Sequence, residues 1–379
     1  MPTALSYWEK ESFFCNYDVI IIGSGIVGLN AAIHLKKSVP LLKIALLERG
    51  FLPTGASTKN AGFACFGSIS ELIEQEEMVG INRLATIIEK RWKGLLKLRH
   101  LLGDKTIDYQ CLGGYELFKN NDTSFADTSV SKIEHFNQLI TDIVGAGAFS
   151  LNHKKIDAFG FESVGTLIEN RYEAQIDSGK MMFALIQYAQ QLGISIFNNC
   201  TVERIEENTQ GSCLITQNGN FFCKRLIVTT NAFIKDLYPD IDINAGRGQV
   251  LITKPIKDLK VAGTFHYDKG YYYFRNINDR ILLGGGRNID FKAEETITFG
   301  VTEAVQQALE DLLKNVILPK TNYEIDYRWS GIMAFGKVLE PLIKEIRPNV
   351  FCATRCNGMG IAIGSQTGED VAELLLKRL

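Results

Sequence analysis

Glycines at positions 23, 25 and 28 follow the apolar run Asp18-Val-Ile-Ile-Ile22 at the G-x-G-x-x-G spacing, and Glu48 stands 20 residues beyond the last of them. These residue types at this spacing suit the diphosphate and ribose of a dinucleotide. Gly23 fits the tight strand-to-helix turn, Gly25 lets a pyrophosphate reach backbone N–H groups, and Gly28 lets the helix approach the sheet. Ser24 and Ile26 complete the turn, so that the helix N-terminus offers N–H groups and partial positive charge to anionic oxygen. Glu48 is placed to accept hydrogen bonds from ribose hydroxyls. A second glycine turn, Asn357-Gly358-Met359-Gly360-Ile361, comes more than three hundred residues later, ahead of a final helix. A nicotinamide cofactor needs one such turn. FAD is long enough to use both, the second facing the isoalloxazine, where a helix N-terminus stabilises negative charge on the reduced ring.

Between the two turns lies the run Tyr271-Tyr272-Tyr273-Phe274-Arg275. Strand alternation puts Tyr271 and Tyr273 on one face and Tyr272 and Phe274 on the other. A pocket-lining role and ordinary strand composition stand level for this run. Five histidines occur, and His266, just before the aromatic strand, is the one whose position invites attention. The eight cysteines show no C-x-x-C pair and no His-Cys spacing of a zinc site, so reduced thiols and no metal are expected. Cys213 and Cys223 flank an Asn218-Gly219 hairpin, and buried free thiols are the commoner outcome there. Cys65 is a small apolar packing residue or, less commonly, a flavin attachment point or redox thiol.

The elements that must position these residues alternate along the chain. Helical periodicity covers 72–103, 129–145, 179–192 and 300–315, and strands are expected at 111–118, 194–197, 202–205, 212–217, 221–229, 249–253, 270–275, 281–284, 323–329 and 349–353. With 379 residues the chain suits two domains or one large α/β domain, and with no linker or repeat any domains must interleave. A formal charge of −2 gives no basic footprint, which argues against nucleic acid and anionic membrane surfaces as partners. The N-terminal residues lack a basic segment followed by an apolar one, and no stretch reaches about 18 uninterrupted apolar residues. A cytoplasmic protein with no membrane span is expected.

Taken in order, these motifs resemble the FAD-dependent D-amino acid oxidase (DAO) superfamily, which contains glycine and sarcosine oxidases and γ-glutamylputrescine-type amine oxidases. The resemblance runs nearly end to end. It is carried by Gly23 to Gly28 with Glu48-Arg49, Gly55-Ala-Ser57-Thr-Lys59-Asn60-Ala-Gly62, Thr-Val202-Glu-Arg-Ile, Thr229-Thr-Asn231-Ala, Arg247-Gly248-Gln249, Gly270 to Arg275, Gly284-Gly-Gly286, Arg328-Trp329-Ser-Gly331 and Asn357 to Ile361. It implies an α/β fold: a Rossmann-like, glutathione-reductase-type FAD domain (1–80, 150–240 and 325–379) interleaved with an antiparallel-sheet α+β substrate domain (81–149 and 241–324).

The same resemblance implies non-covalent FAD, with Glu48 on the adenosine ribose, Arg49 and Ser57 by the pyrophosphate, Thr58 among the cofactor-binding residues, and Val202 meeting adenine through its backbone. Lys59, Asn60, Ala61 and Gly62 would run along the flavin, with Asn231, Gly331, Asn357 and Gly358 completing the site. Met359, Gly360 and Ile361 would meet the pyrimidine edge. Tyr271, Tyr273, Arg275 and Lys59 are the expected catalytic set. The implied activity is oxidation of a C–N bond of a small amine or amino acid by hydride transfer to flavin N5, with imine hydrolysis and electron transfer to oxygen or another acceptor. Two positions depart from the family pattern. Met333 stands where amino-acid oxidases of this kind carry a carboxylate-binding arginine, and methionine has no guanidinium fork. Arg275 is the preferred replacement, followed by Arg287 and Arg355. Cys-Asn357-Gly-Met359 occurs where relatives often place histidine. A 2-hydroxy-acid dehydrogenase using a non-oxygen acceptor and a flavin-binding protein without turnover remain as alternatives.

Overall fold

The computed structural model describes residues 5–378. Contacts divide the chain into two compact units: Met1–Thr58, Gly179–Ala245 and Met333–Leu379 form the first, and Lys59–Ser178 with Gly246–Ile332 the second.

The sheet of the first unit runs in the order Leu342–Arg347, Val350–Thr354, Gly219–Val228, Tyr17–Ile22, Ile44–Leu47, Ser195–Phe197. Along this order the pairs are parallel except the one between Leu342–Arg347 and Val350–Thr354, and Gly211–Thr216 adds antiparallel pairs with Gly219–Val228 and Val202–Asn208 at one side. A parallel sheet is covered on both faces, which is why Val19, Ile20 and Ile21 are all fully buried. The Asn218-Gly219 hairpin forms, with Cys213 opposite Phe222 and Cys223 opposite Ser212, so the two thiols are not cross-strand partners. Helices Ile26–Ser38 and Gly360–Leu376 lie against each other. Gly364 faces Ile26 and Gly368 faces the Val27 carbonyl, an approach that a side chain at Gly368 would block. Two turns from opposite ends of the sequence thereby stand side by side.

The second unit has a sheet in the order Ile325–Phe335, Asn244–Thr253, Arg280–Gly285, Tyr272–Ile277, Thr264–Tyr267, Gly114–Lys119, Val164–Asn170, Phe149–Leu151. One face packs on the core of Phe265, Phe274, Leu283 and Leu309, in which Phe274 stacks on Phe265 with centroids 4.5 Å apart. The other face carries the polar side chains described below.

Several expected boundaries shift for identifiable reasons. Residues 59–80 and 150–178, expected with the nucleotide domain, belong to the second unit. Phe66, Ile69 and Leu72 are buried with Leu84, Ile88 and Phe118, and Val164–Asn170 pairs with Gly114–Lys119. The expected helix 72–103 is two helices, Ile69–Val79 and Ile81–Leu102, broken at Gly80 with φ +77°. The expected helix 129–145 is likewise two, Thr123–Ser131 and Ile133–Ile140. No helix among the described residues is long and apolar enough to cross a membrane.

Candidate active site

In the first unit the sequence builds a cradle at the N-terminus of Ile26–Ser38. Gly23 has φ +99°, which suits glycine, and a Cβ on Gly28 would collide with the Gly23 carbonyl and stand 2.7 Å from Thr229 Oγ1. Gly25, the helix N-cap, has no side chain to close the turn, and Ser57 Oγ accepts from the Ile26 N–H at 2.9 Å. Glu48 is buried. Its Oε2 accepts from the Ser24 N–H (3.1 Å) and hydroxyl (3.0 Å), and its Oε1 from the Gly50 N–H (3.0 Å). The carboxylate is thus fixed beside the glycine turn before any ribose arrives. Arg49 lies over the Phe233 ring at 3.7 Å, Thr58 donates to the Pro53 carbonyl at 2.6 Å, and Val202 is buried at the start of its strand.

The second glycine turn is also in this unit. Arg355, Asn357 and Gly358 have φ of +66°, +48° and +81°, a run of left-handed residues that turns Val350–Thr354 into the final helix. Asn357 holds its conformation by donating Nδ2 to the Val338 and Leu339 carbonyls at 3.0 and 2.8 Å. Asn231, itself at φ +51°, accepts the Arg355 N–H at 3.4 Å. Met359 is the N-cap of the helix beginning at Gly360, and its side chain makes no capping hydrogen bond. The cradle that a Cβ would fill and the two helix N-termini whose N-cap residues, Gly25 and Met359, make no side-chain capping bond suit an anionic dinucleotide such as FAD.

In the second unit the strip Lys59 to Gly62 is pinned by its own neighbours. The Lys59 carbonyl accepts Trp329 Nε1 at 3.0 Å, and Gly331 lies close enough that a Cβ there would stand 3.1 Å from Lys59 Cβ. Asn60 Oδ1 accepts from the Gly62 N–H at 2.8 Å and the Ser178 hydroxyl at 2.6 Å. Ala61 is buried with Val250 and Leu282, and Lys59 Nζ lies 5.5 Å from the Phe299 ring.

The aromatic strand is Tyr272–Ile277, so Tyr271 falls outside it, in the turn after Gly270, and does not share the face of Tyr273 by alternation. Tyr271 packs against Phe291 instead. Tyr273 and Arg275 share a face with His266, which lies opposite Tyr273, and with Glu116, which lies opposite His266. Burial pushes the Tyr273 hydroxyl up to about 12, so it remains a neutral phenol. Arg275 is only 5% exposed. Its Nη1 donates to the carbonyls of Ile176 (2.9 Å) and Gly62 (3.4 Å), while its Nε has no partner among the described residues. Burial lowers its pKa to about 10 against the raising effect of Asp177 and Asp108, leaving a cation at neutral pH. Of the other two arginines, Arg287 lies over the Phe291 ring at 5.1 Å, and Arg355 Nη2 donates to the Glu340 carbonyl at 3.1 Å while its Nε, like that of Arg275, has no partner among the described residues.

Sequence spacing gave no sign of Glu173, which is buried and 2.7 Å from His266 Nε2. The same holds for the role of Arg247-Gly-Gln249. Arg247 Nε and Nη2 each donate to Glu294 at 2.8 Å, and Gln249 Nε2 donates to Glu294 at 2.9 Å and Thr302 at 2.8 Å. This network fixes the segment leading to Phe299.

The FAD dependent oxidoreductase (DAO) family profile matches residues 18–374. A probable oxidoreductase, OrdL, of Rhizobium meliloti is 23% identical, covering 95% of this chain and 83% of its own length. A gamma-glutamylputrescine oxidoreductase of Escherichia coli is 21% identical over 97% of this chain and 84% of its own. Among solved structures, glycine oxidase from Geobacillus kaustophilus superposes with a TM-score of 0.75 at 19% identity, covering 96% of this chain and 95% of that one.

Proposed function

Since the chain belongs to the DAO family of FAD-dependent oxidoreductases, we propose that it oxidises the C–N bond of a small amine or amino acid. A hydride leaves the carbon that bears a neutral amine, and water hydrolyses the resulting imine. Bound FAD supplies the hydride acceptor, and oxygen or another acceptor takes the electrons afterwards. The Escherichia coli relative and the Geobacillus kaustophilus neighbour are named for γ-glutamylputrescine and glycine, both of which carry an amine.

In this reading Glu48 receives the ribose, the turn Gly23-Ser24-Gly25-Ile26 with Ser57, Thr58 and Arg49 receives the pyrophosphate, and Val202 meets adenine. Asn231 and Asn357 to Ile361 are the flavin residues of the first unit, and Lys59, Asn60, Ala61, Gly62 and Gly331 those of the second, where the Lys59 charge favours an anionic ring. Tyr273 and Arg275 orient the substrate, and no strong base is required because the amine arrives neutral.

The observation that carries the substrate class is Arg275. Its Nη1 is committed to two backbone carbonyls, and its Nε is buried without a partner. Leaving such a donor unsatisfied is costly, and the Nε/Nη2 edge is the one that Arg247 uses toward Glu294 in the same unit. With Met333 unable to serve, a substrate carboxylate goes to Arg275. The test is product analysis with the FAD-loaded protein on a panel of amines, amino acids and 2-hydroxy acids. Carbonyl product with ammonia or amine supports the reading; 2-oxo acids formed from hydroxy acids alone overturn it.

A further inference from the structure

We propose that Cys65, Glu173 and His266 form a site for one divalent transition-metal ion of the zinc class within the second unit. The thiol sulfur, a carboxylate oxygen and an imidazole nitrogen lie within 4.8 Å of one another, and all three residues are buried. Donors bound to one zinc ion by bonds of about 2.0–2.3 Å are themselves separated by about 3–4 Å, so small side-chain movements suffice. Sulfur, nitrogen and oxygen in one set favour zinc-class ions over magnesium or calcium, which take oxygen alone.

The surroundings fit a metal site. Thr264 Oγ1 donates to Glu173 Oε1 at 2.8 Å, which holds that carboxylate in place, and Glu71 Oε2 stands 3.9 Å from His266 Nδ1. The Thr264 hydroxyl is a hydrogen-bonding group of the kind that orients a metal ligand from behind, and the Glu71 carboxylate adds negative charge near the imidazole. Glu116, also buried, lies opposite His266 in the sheet. Three carboxylates therefore surround one imidazole, with Arg91 as the buried guanidinium nearby. Without metal, a proton shared between His266 Nε2 and Glu173 Oε1 at 2.7 Å joins the pair. The ion takes the place of that proton and of the thiol proton, releasing both to solvent and binding the sulfur as thiolate.

The three residues come from separate segments. Cys65 follows the short strand Phe63–Ala64, Glu173 precedes Ala174–Gln175, and His266 lies in Thr264–Tyr267. The two short strands pair with each other directly after Gly62. A metal ion here staples the segment behind the Lys59 to Gly62 strip to the sheet.

The test uses the full-length, untagged protein with its FAD bound, incubated with zinc chloride and passed through gel filtration. Elemental analysis should find one zinc per chain, and zinc X-ray absorption should find one sulfur with nitrogen and oxygen neighbours. Cys65→Ser and His266→Gln should each retain at least tenfold less zinc, with the flavin spectrum reporting on folding. Absence of retained zinc in the natural protein, or a shell without sulfur, overturns the proposal even if both variants misfold. Full zinc retention by folded Cys65→Ser overturns it as well.

Discussion

The Val27 carbonyl oxygen lies 2.6 Å from the point that a Cβ on Gly368 would occupy. Backbone meets backbone there, so the helix after the first glycine turn and the helix after the last one are held in direct contact. Gly368→Val has no room to relax and is expected to destabilise by about 1–3 kcal/mol, the usual cost of overpacking. Thermal unfolding with and without added FAD measures it, and the loss should be accompanied by weaker FAD retention.

Glu48→Gln removes the charge but keeps an acceptor beside Ser24. A hydrogen bond to a charged group is worth about 1.5–3 kcal/mol, so FAD affinity should fall by roughly 10- to 100-fold. Recovery of flavin fluorescence on dissociation reports the affinity, and an unchanged far-UV spectrum shows that the fold persists.

Arg275→Gln should raise KM for carboxylate-bearing substrates by about 10- to 100-fold while changing KM for amines without a carboxylate far less, since a charge-assisted fork is lost only for the former. In the natural protein the Arg275 cation is present below its pKa of about 10 and lost above it. The KM for a carboxylate substrate should therefore climb as pH rises through about 10. A flat profile there, or equal effects on both substrate types, would remove Arg275 from carboxylate binding.

Burial pushes the Glu294 carboxyl up, but hydrogen bonds from Arg247 and Gln249 outweigh it and hold the group below its ordinary value of 4.5. Its folded pKa being depressed, the pair stabilises the fold above about pH 4.5, and that contribution is lost as the pH falls through the depressed value. Unfolding temperatures measured between pH 3 and 6 should drop more steeply below about pH 4.5 for the natural protein than for Glu294→Gln.

What the sequence revealed and what it hid follow the same physical line. The first strand and turn were legible because a parallel strand is apolar throughout and a phosphate turn admits only glycine at Gly23 and Gly28. The final turn was legible from its paired glycines, of which Gly358 stands at φ +81°, yet its contact with the first depends on Gly364 and Gly368, whose meaning appears only once both helices are in place. Alternation was expected to run from Tyr271, but the turn residues Asp268, Lys269 and Gly270, all at positive φ, delay the start of the strand to Tyr272. Glu173 was silent, and the closeness of Cys65 to Glu173 and His266 could not be read, because these neighbours in space are distant in sequence. The domain boundaries moved because Phe66, Ile69 and Leu72 bury themselves with the second unit, a preference that periodicity alone does not express.

In the proposed reaction a C–N bond is oxidised and bound FAD is reduced. Anaerobic titration of the purified, FAD-loaded protein with small amines, amino acids and 2-hydroxy acids, followed by flavin absorbance, tests it most directly. The oxidised flavin band should bleach with at least one amine or amino acid, and the carbonyl product should appear with ammonia or a released amine. Bleaching by hydroxy acids only, or by none of the compounds, would contradict it.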